Sequence, residues 1–142
     1  MVASAVMFDV SFSFRRPTNL GVKNGYLAPC RRTPNCVSSQ ADPADGEHYI
    51  APIPFKGSAD EAMAAAKRAV ESMARTTIVR EERGYLYAEF RSKLLRYVDD
   101  VELLFDGNAI QVRSASRLGR RDFGVNRARV EEVRRRIESR RP

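Results

Sequence analysis

Between Thr76 and Ser116 the chain reads TTIVREE, YLYAEFRS, VDDVELLF and AIQVRSAS, four strand-like runs rich in β-branched and aromatic residues. They are separated only by Arg83-Gly84, a basic connection around Lys93–Arg96, and Asp106-Gly107-Asn108. Connections this short suit antiparallel neighbours, because a parallel crossover needs a dozen residues or more. Alternation places Leu86, Ala88 and Phe90 on one face, and likewise Val101, Leu103 and Phe105. One face of an antiparallel sheet is therefore predicted to be buried.

The segments on either side supply what covers that face. YIAPIPF, residues 49–55, reads as a short strand whose Pro52 and Pro54 place it at a sheet edge or strand end. Ser58 and Glu61 form a capping-box pair opening a helix, with Met63, Ala66, Val70 and Met73 along one side. GVNRARVEEVRRRIESRR closes the chain as a second helix. Asn126 is its expected N-cap, Val125 and Val130 its hydrophobic staple, and Val130, Val133 and Ile137 its apolar stripe. The prediction is an α+β fold: a single domain with an antiparallel sheet of about five strands, two helices packed on one face, and an extended N-terminal arm. The arm comes from residues 15–47, where Pro17, Gly21, Gly25, Pro29, Pro34, Pro43 and Gly46 favour ordered loop. Residues 1–14 read as a lead, 15–142 as the domain and 48–138 as its core. The sheet's second face is expected to be wet or covered by the arm.

A chain of 142 residues can bury one sizeable core without metal or disulfide staples. No apolar run approaches the roughly 20 residues that span a bilayer. Asp9 interrupts the apolar opening MVASAVMFDVSFSF, which lacks a basic n-region, so cytoplasmic placement is the simplest expectation. The net charge of +7 is concentrated at one end: residues 113–142 carry 11 arginines against Asp122, Glu131, Glu132 and Glu138. That bias fits contact with phosphate, and equally a solvated helix face.

LAPC-x3-PNCVSSQ, the preceding RPTNLGV, the strand RTTIVRE, the run FRSKLLRYVDDVELLF and the ending VRSASRLGRRDFGVNRARVEEVR stand together in one order. In this they resemble the bacterial and plastid family known as domain of unknown function 1499, over about residues 15–138. The resemblance implies a small module with no assigned activity, often carried elsewhere behind a membrane anchor or transit sequence. It therefore keeps envelope association open beside the cytoplasmic expectation. Arg31-Arg32 before Pro34 is more basic than is usual in the family, and Gly107-Asn108 makes a shorter turn.

Cys30 and Cys36, the chain's two cysteines, lack zinc-ribbon spacing, and only His48 and carboxylates would complete a tetrahedral site. No metal, cofactor or catalytic set is assigned. The thiol pair is either structural or redox: two small buried thiols are the favoured reading for a cytoplasmic chain, with a disulfide as the alternative. A nucleophilic Cys36 would need a base, and His48 is the only histidine. Asn35, Ser38 and Ser39 read as turn residues bonded to local backbone.

RSASRLGRRDFGVNR is the more suggestive constellation. Alternation sets Arg113, Ala115 and Arg117 on the face opposite Val112, Ser114 and Ser116, while Gly119 and Gly124 bring Asp122, Asn126 and Arg127 to a helix start. Guanidinium forks beside hydroxyls and backbone N–H groups make a candidate anion site of Arg113, Ser114, Ser116, Arg117, Asp122, Asn126 and Arg127. The structural alternative pairs Asp100 and Glu102 with Arg113 and Arg117 and leaves Asp122 or Asn126 to cap the helix. Asp99 and Asp100 point to opposite faces and do not converge for paired acid catalysis. Tyr85 and Tyr87 lie on the non-core face, where they line a groove or receive the arm.

The leading expectation is a non-enzymatic binding or assembly module that recognises an anionic ligand, either a small anion or an acidic protein. One alternative is an enzyme using Cys36 or the Asp122/Arg127 region. Another is weak, sequence-independent nucleic-acid binding through the arginine-rich C-terminal helix, because no specific nucleic-acid motif occurs.

Overall fold

A computed structural model describes residues 15–94 and 97–139. The expected lead (1–14), part of the basic connection (Leu95 and Arg96) and the last three residues lie outside that range.

The strand-like runs become strands with little adjustment. In chain order the elements are β1 (Cys36–Ser38), β2 (Ile53–Pro54), α1 (Ala59–Glu71), β3 (Thr76–Glu82), β4 (Tyr85–Arg91), β5 (Val98–Phe105), β6 (Ala109–Ser116) and α2 (Val125–Ser139). The sheet is antiparallel and runs β1-β6-β5-β4-β3, with β2 also pairing β6. It has six strands among the described residues where about five were expected. The addition is β1, which carries the second cysteine and pairs Cys36 with Ala115 and Ser38 with Arg113. Only Ile53 and Pro54 of the YIAPIPF run form a strand, with Tyr49 making an isolated bridge to Ser38, because prolines cannot donate to a ladder.

Ser58 caps α1 as predicted: its hydroxyl accepts from Glu61 N at 3.0 Å, and Glu61 Oε1 accepts from Ser58 N at 2.9 Å. Gly57 precedes it with φ +151°, and a Cβ there would meet the Phe55 ring at 2.9 Å, so only glycine fits this approach. α1 buries Ala62, Ala65, Ala66, Ala69 and Val70, with Met63 and Met73 at the margin. α2 buries Val130, Val133 and Ile137. Both helices lie on the sheet face formed by Leu86, Ala88, Phe90, Val101, Leu103, Ile110 and Val112.

The opposite face is covered. Leu27 of the arm, with Leu20, packs on Tyr85 and Tyr87 in a second, smaller cluster. No helix among the described residues is long and apolar enough to cross a membrane.

The start of α2 departs from expectation. Asn126 is a buried first-turn residue, not the N-cap. The capping atoms come from Asp122, whose Oδ1 accepts from Gly124 N and Oδ2 from Asn126 N, both at 3.0 Å. Val125 is exposed and makes no staple. The reason is tertiary: Asn126 is drawn inward by polar groups of β6 and the cysteine loop.

Candidate functional site

β4, β5 and β6 send every second side chain toward the arm, and in this sequence those positions are mostly polar. The register places Glu89 opposite Asp100, Tyr87 opposite Glu102 and Glu102 opposite Arg113. Glu89, Asp100 and Glu102 are all buried, as is Arg113. Buried charge is tolerated only when paired and hydrogen-bonded, and most of this network meets that demand. Arg117 donates from Nε to Asp100 Oδ2 and from Nη2 to Asp100 Oδ1, each at 2.8 Å, and also pairs Glu89. Arg16 of the arm donates to Glu89 Oε2 at 2.9 Å. Tyr85 donates to Glu102 Oε2 at 2.6 Å, and Tyr87 donates to Asp100. Gly21 N closes the arm onto the same Glu102 oxygen at 2.7 Å.

Burial, reinforced by the carboxylate each hydroxyl serves, pushes the Tyr85 and Tyr87 phenols far above their ordinary values. Burial also works against the Glu89 carboxylate, but Arg16 and Arg117 outweigh it and hold Glu89 below its usual range. Burial opposes the Arg117 charge too, yet Asp100 and Glu89 win and raise it.

Arg113 is the exception. Burial lowers its pKa, Glu102 and Asp100 oppose that, and the neighbouring charge of Arg31 adds to the lowering. It is 5% exposed. Its only hydrogen bond among the described residues runs from Nη2 to Pro29 O at 3.3 Å. Its ion pair with Glu102 is loose, Nη1 to Oε1 at 3.8 Å, and Arg113 Nε and Glu102 Oε1 have no hydrogen-bond partner.

Arg113 lies in a cleft of about 400 Å3 between the arm, the cysteine loop and the turn after β6. Arg15, Arg31, Arg117 and Arg120 also line it, together with Asn19, Thr33, Asn35, Ala115 and Ser116; Asp100 is its one carboxylate. The cysteine loop is closed by a Cys30–Cys36 disulfide with Cα atoms 5.6 Å apart. This corrects the favoured reading of two free thiols: pairing of Cys36 to β6 folds the loop back until the cysteines meet. Bonded in this way, Cys36 offers no thiolate.

The seven residues predicted to form one anion site divide across the sheet. Arg113 and Arg117 face the arm. Ser114, Ser116, Asp122 and Asn126 meet on the helix side: Ser114 donates to Asn126 Oδ1, and Asn126 Nδ2 donates to Asp122 Oδ2 at 2.7 Å, Ser116 Oγ at 2.8 Å and Asn35 O at 3.1 Å. This cluster clamps α2 to β6 and the cysteine loop. Arg127 joins neither group; its Nη2 donates to the carbonyls of Gly46 and Glu47. Asp99 and Asp100 point to opposite faces, with Asp99 accepting from Arg129 at 2.7 Å.

A match to the model of a family described as "Protein of unknown function (DUF1499)" covers residues 26–137. The chain belongs to that family. No curated protein and no solved structure matches it. The matched span takes in the disulfide, β1–β6 and most of α2, whereas Arg15, Arg16, Asn19 and Gly21 of the cleft and its network precede it.

Two features of this DUF1499 domain were missed in the sequence. Asn35 was read as a turn residue, yet it joins distant segments: its Nδ2 donates to Gly119 O at 2.7 Å and its carbonyl accepts from Ser116 N at 3.0 Å. His48 is buried with both ring nitrogens engaged, Nδ1 to Asp45 Oδ2 at 2.7 Å and Nε2 to Thr33 O at 2.9 Å. Burial lowers its pKa, but the Thr33 carbonyl and Asp45 together raise it overall. Neither role has a local signal, because Gly119 and Ser116, which Asn35 joins, and Thr33, which His48 holds, lie 15 or more residues away.

The arginines of the C-terminal helix are occupied as well. Arg134 donates to Ala51 O and Pro52 O, Arg135 and Arg136 bind Glu132, and Arg136 reaches Ser72 O at 2.7 Å. Their charge serves to fasten α2.

Proposed function

We propose that the protein is a non-enzymatic binding module whose cleft around Arg113 recognises an anionic ligand. The observation that carries this reading is the under-used Arg113 guanidinium, a buried five-donor group with one hydrogen bond and a loose ion pair. Charge bookkeeping supports it. Glu89, Asp100 and Glu102 are matched by Arg113 and Arg117 and, at the exposed edge, by Arg16 and Arg91, four arginines for three carboxylates, so the network holds no surplus negative charge to repel an anion. Arg31 and Arg120 at the rim have no carboxylate partner among the described residues. An anion in the cleft would gain their field and accept from Arg113. No aromatic side chain lines the cleft among the described residues, which favours a compact oxyanion over a stacked base.

The test is calorimetric titration with inorganic phosphate, pyrophosphate and citrate at constant ionic strength. At least one should bind, and Arg31→Gln/Arg120→Gln should weaken it on the order of tenfold or more, since charge-assisted hydrogen bonds contribute about 1.5–3 kcal/mol. Both residues are exposed, so the variant should keep the parent melting temperature. Absence of binding to all three anions, or equal binding by the variant, would overturn the reading.

A further inference from the structure

Exposed apolar side chains and unneutralised arginines gather at one end of the sheet. Seven large hydrophobic residues are exposed among the described residues, and five of them, Leu94 (85%), Tyr97 (47%), Leu118 (40%), Phe123 (93%) and Val125 (45%), belong to this end. The connectivity fixes the location. The β4–β5 connection leads into Val98, Arg117 N donates to Val98 O at 3.2 Å, and Asp99 pairs with Ser116 where β6 runs out into the 117–124 turn. Cys36 pairs with Ala115 beside them, which brings the cysteine loop to the same end.

Six described arginines make no side-chain hydrogen bond or ion pair, and four of these, Arg31, Arg32, Arg120 and Arg121, sit on the cysteine loop and the 117–124 turn. The other two, Arg68 and Arg83, lie on α1 and in the turn between β3 and β4, and in the arginine-dense α2 Arg134, Arg135 and Arg136 are all paired with glutamates. Phe123 follows Arg120 and Arg121 in the turn and shares a shallow pocket with Arg121; its φ is +53°, a backbone state uncommon for a bulky residue. Of the acids nearby, Asp122 is occupied in capping α2, and Glu47, which lines the same pocket, lies 3.4 Å from His48 Nε2.

We infer that this end docks on an anionic lipid surface, with Phe123 and Leu94 entering the headgroup boundary and the four arginines above it meeting lipid phosphates. An apolar tip collared by cations suits a bilayer interface, where apolar burial and attraction to anionic lipid add together. Nucleic acid would use the charge but leave Leu94, Leu118 and Val125 without a role. Arg31 and Arg120 also line the cleft, but Leu94, Phe123, Arg32 and Arg121 do not, so variants of these four test docking apart from the cleft ligand.

The chain has no tryptophan, so Phe123→Trp creates a single reporter at the tip. Its fluorescence should shift to the blue with phosphatidylcholine vesicles containing phosphatidylglycerol, weakly or not at all with phosphatidylcholine alone, and less as salt rises. In co-sedimentation, Leu94→Ser/Phe123→Ser should lose binding on the order of tenfold or more. Arg32→Gln/Arg121→Gln should lose about tenfold or more, from roughly 1 kcal/mol per cation near the surface. All four sites are exposed, so circular dichroism melts should match the parent. No blue shift with the anionic vesicles, or equal sedimentation of the Leu94/Phe123 variant, overturns the inference. So does binding to RNA or to an acidic protein that needs the same residues while vesicles are ignored. Phosphate binding by a protein that ignores vesicles would leave the cleft reading standing and remove only this one.

Discussion

On the helix side, β4–β6 present Leu86, Ala88, Phe90, Val101, Leu103, Ile110 and Val112, whereas on the arm side the same strands present Tyr85, Tyr87, Glu89, Asp100, Glu102 and Arg113. Both sets are buried. The helix face needs only apolar area and close packing, at about 25 cal/mol per Å2 removed from water. The arm face must match each charge to a partner, and one missing partner costs more there than one missing methyl group on the other side. A sheet can thus be buried on both faces while only one is built for stability. On the arm face Arg113 Nε and Glu102 Oε1 are left unpaired, and of the two the anion proposed above would accept only from Arg113.

The comparison breaks most sharply at Arg117. Arg117→Met should destabilise by about 3–5 kcal/mol, because Asp100 and Glu89 would remain buried without their shared cation. Leu103→Ala on the helix face should fall in a similar range, about 2–5 kcal/mol, by leaving a cavity. Urea unfolding of both variants decides the matter: an Arg117→Met protein within 1 kcal/mol of the parent would mean that the arm face is not organised by its charges. Reduction of the Cys30–Cys36 disulfide comes next. The closed loop is short, so its loss should cost about 2 kcal/mol by the loop-entropy relation. It should also weaken anion binding, because Arg31 rides on that loop. Melting and phosphate titration with and without reductant measure both effects, and unchanged affinity after reduction would detach the loop from the site.

The smallest effect sharpens the comparison through pH. His48 holds the Thr33 carbonyl of the cysteine loop, and its pKa in the folded state is raised above the ordinary value. Its contribution is therefore complete below the unfolded pKa of about 6.5 and is lost as pH rises through the folded pKa. Melting temperature followed from pH 5 to 9 should fall on this account across neutrality and above it, and His48→Gln should flatten that part of the profile. Glu89 runs the opposite way: its pKa is depressed, so its contribution is present above the usual carboxylate range and is lost only as acid protonates it.

How much of this was legible follows from the range of the interactions. The runs 76–82, 98–105 and 109–116 match β3, β5 and β6 residue for residue, because a period of two is written in consecutive residues. The Ser58/Glu61 box was legible for the same reason, three residues apart. The cleft was half visible. Alternation put Arg113 and Arg117 on the face opposite Ser114 and Ser116 and named Asp100 and Glu102 as partners, yet the candidate site joined the two faces, because nothing local showed that Asn126 and Asp122 close on the serines as a clamp. Glu89 drew no notice in a strand where it stands between Ala88 and Phe90.

The sequence by itself determined the strands, both helices, the apolar face and the family, since each is carried by local periodicity or by motifs in fixed order. Tertiary structure alone decided which arginines are spent and which are left over. Arg134–Arg136 look free in the sequence and are bound to Glu131, Glu132 and distant backbone carbonyls, while Arg31, Arg32, Arg120 and Arg121 find no carboxylate among the described residues. The physical reason is that charge is a property of a residue, whereas its neutralisation depends on what folding brings within a few ångströms.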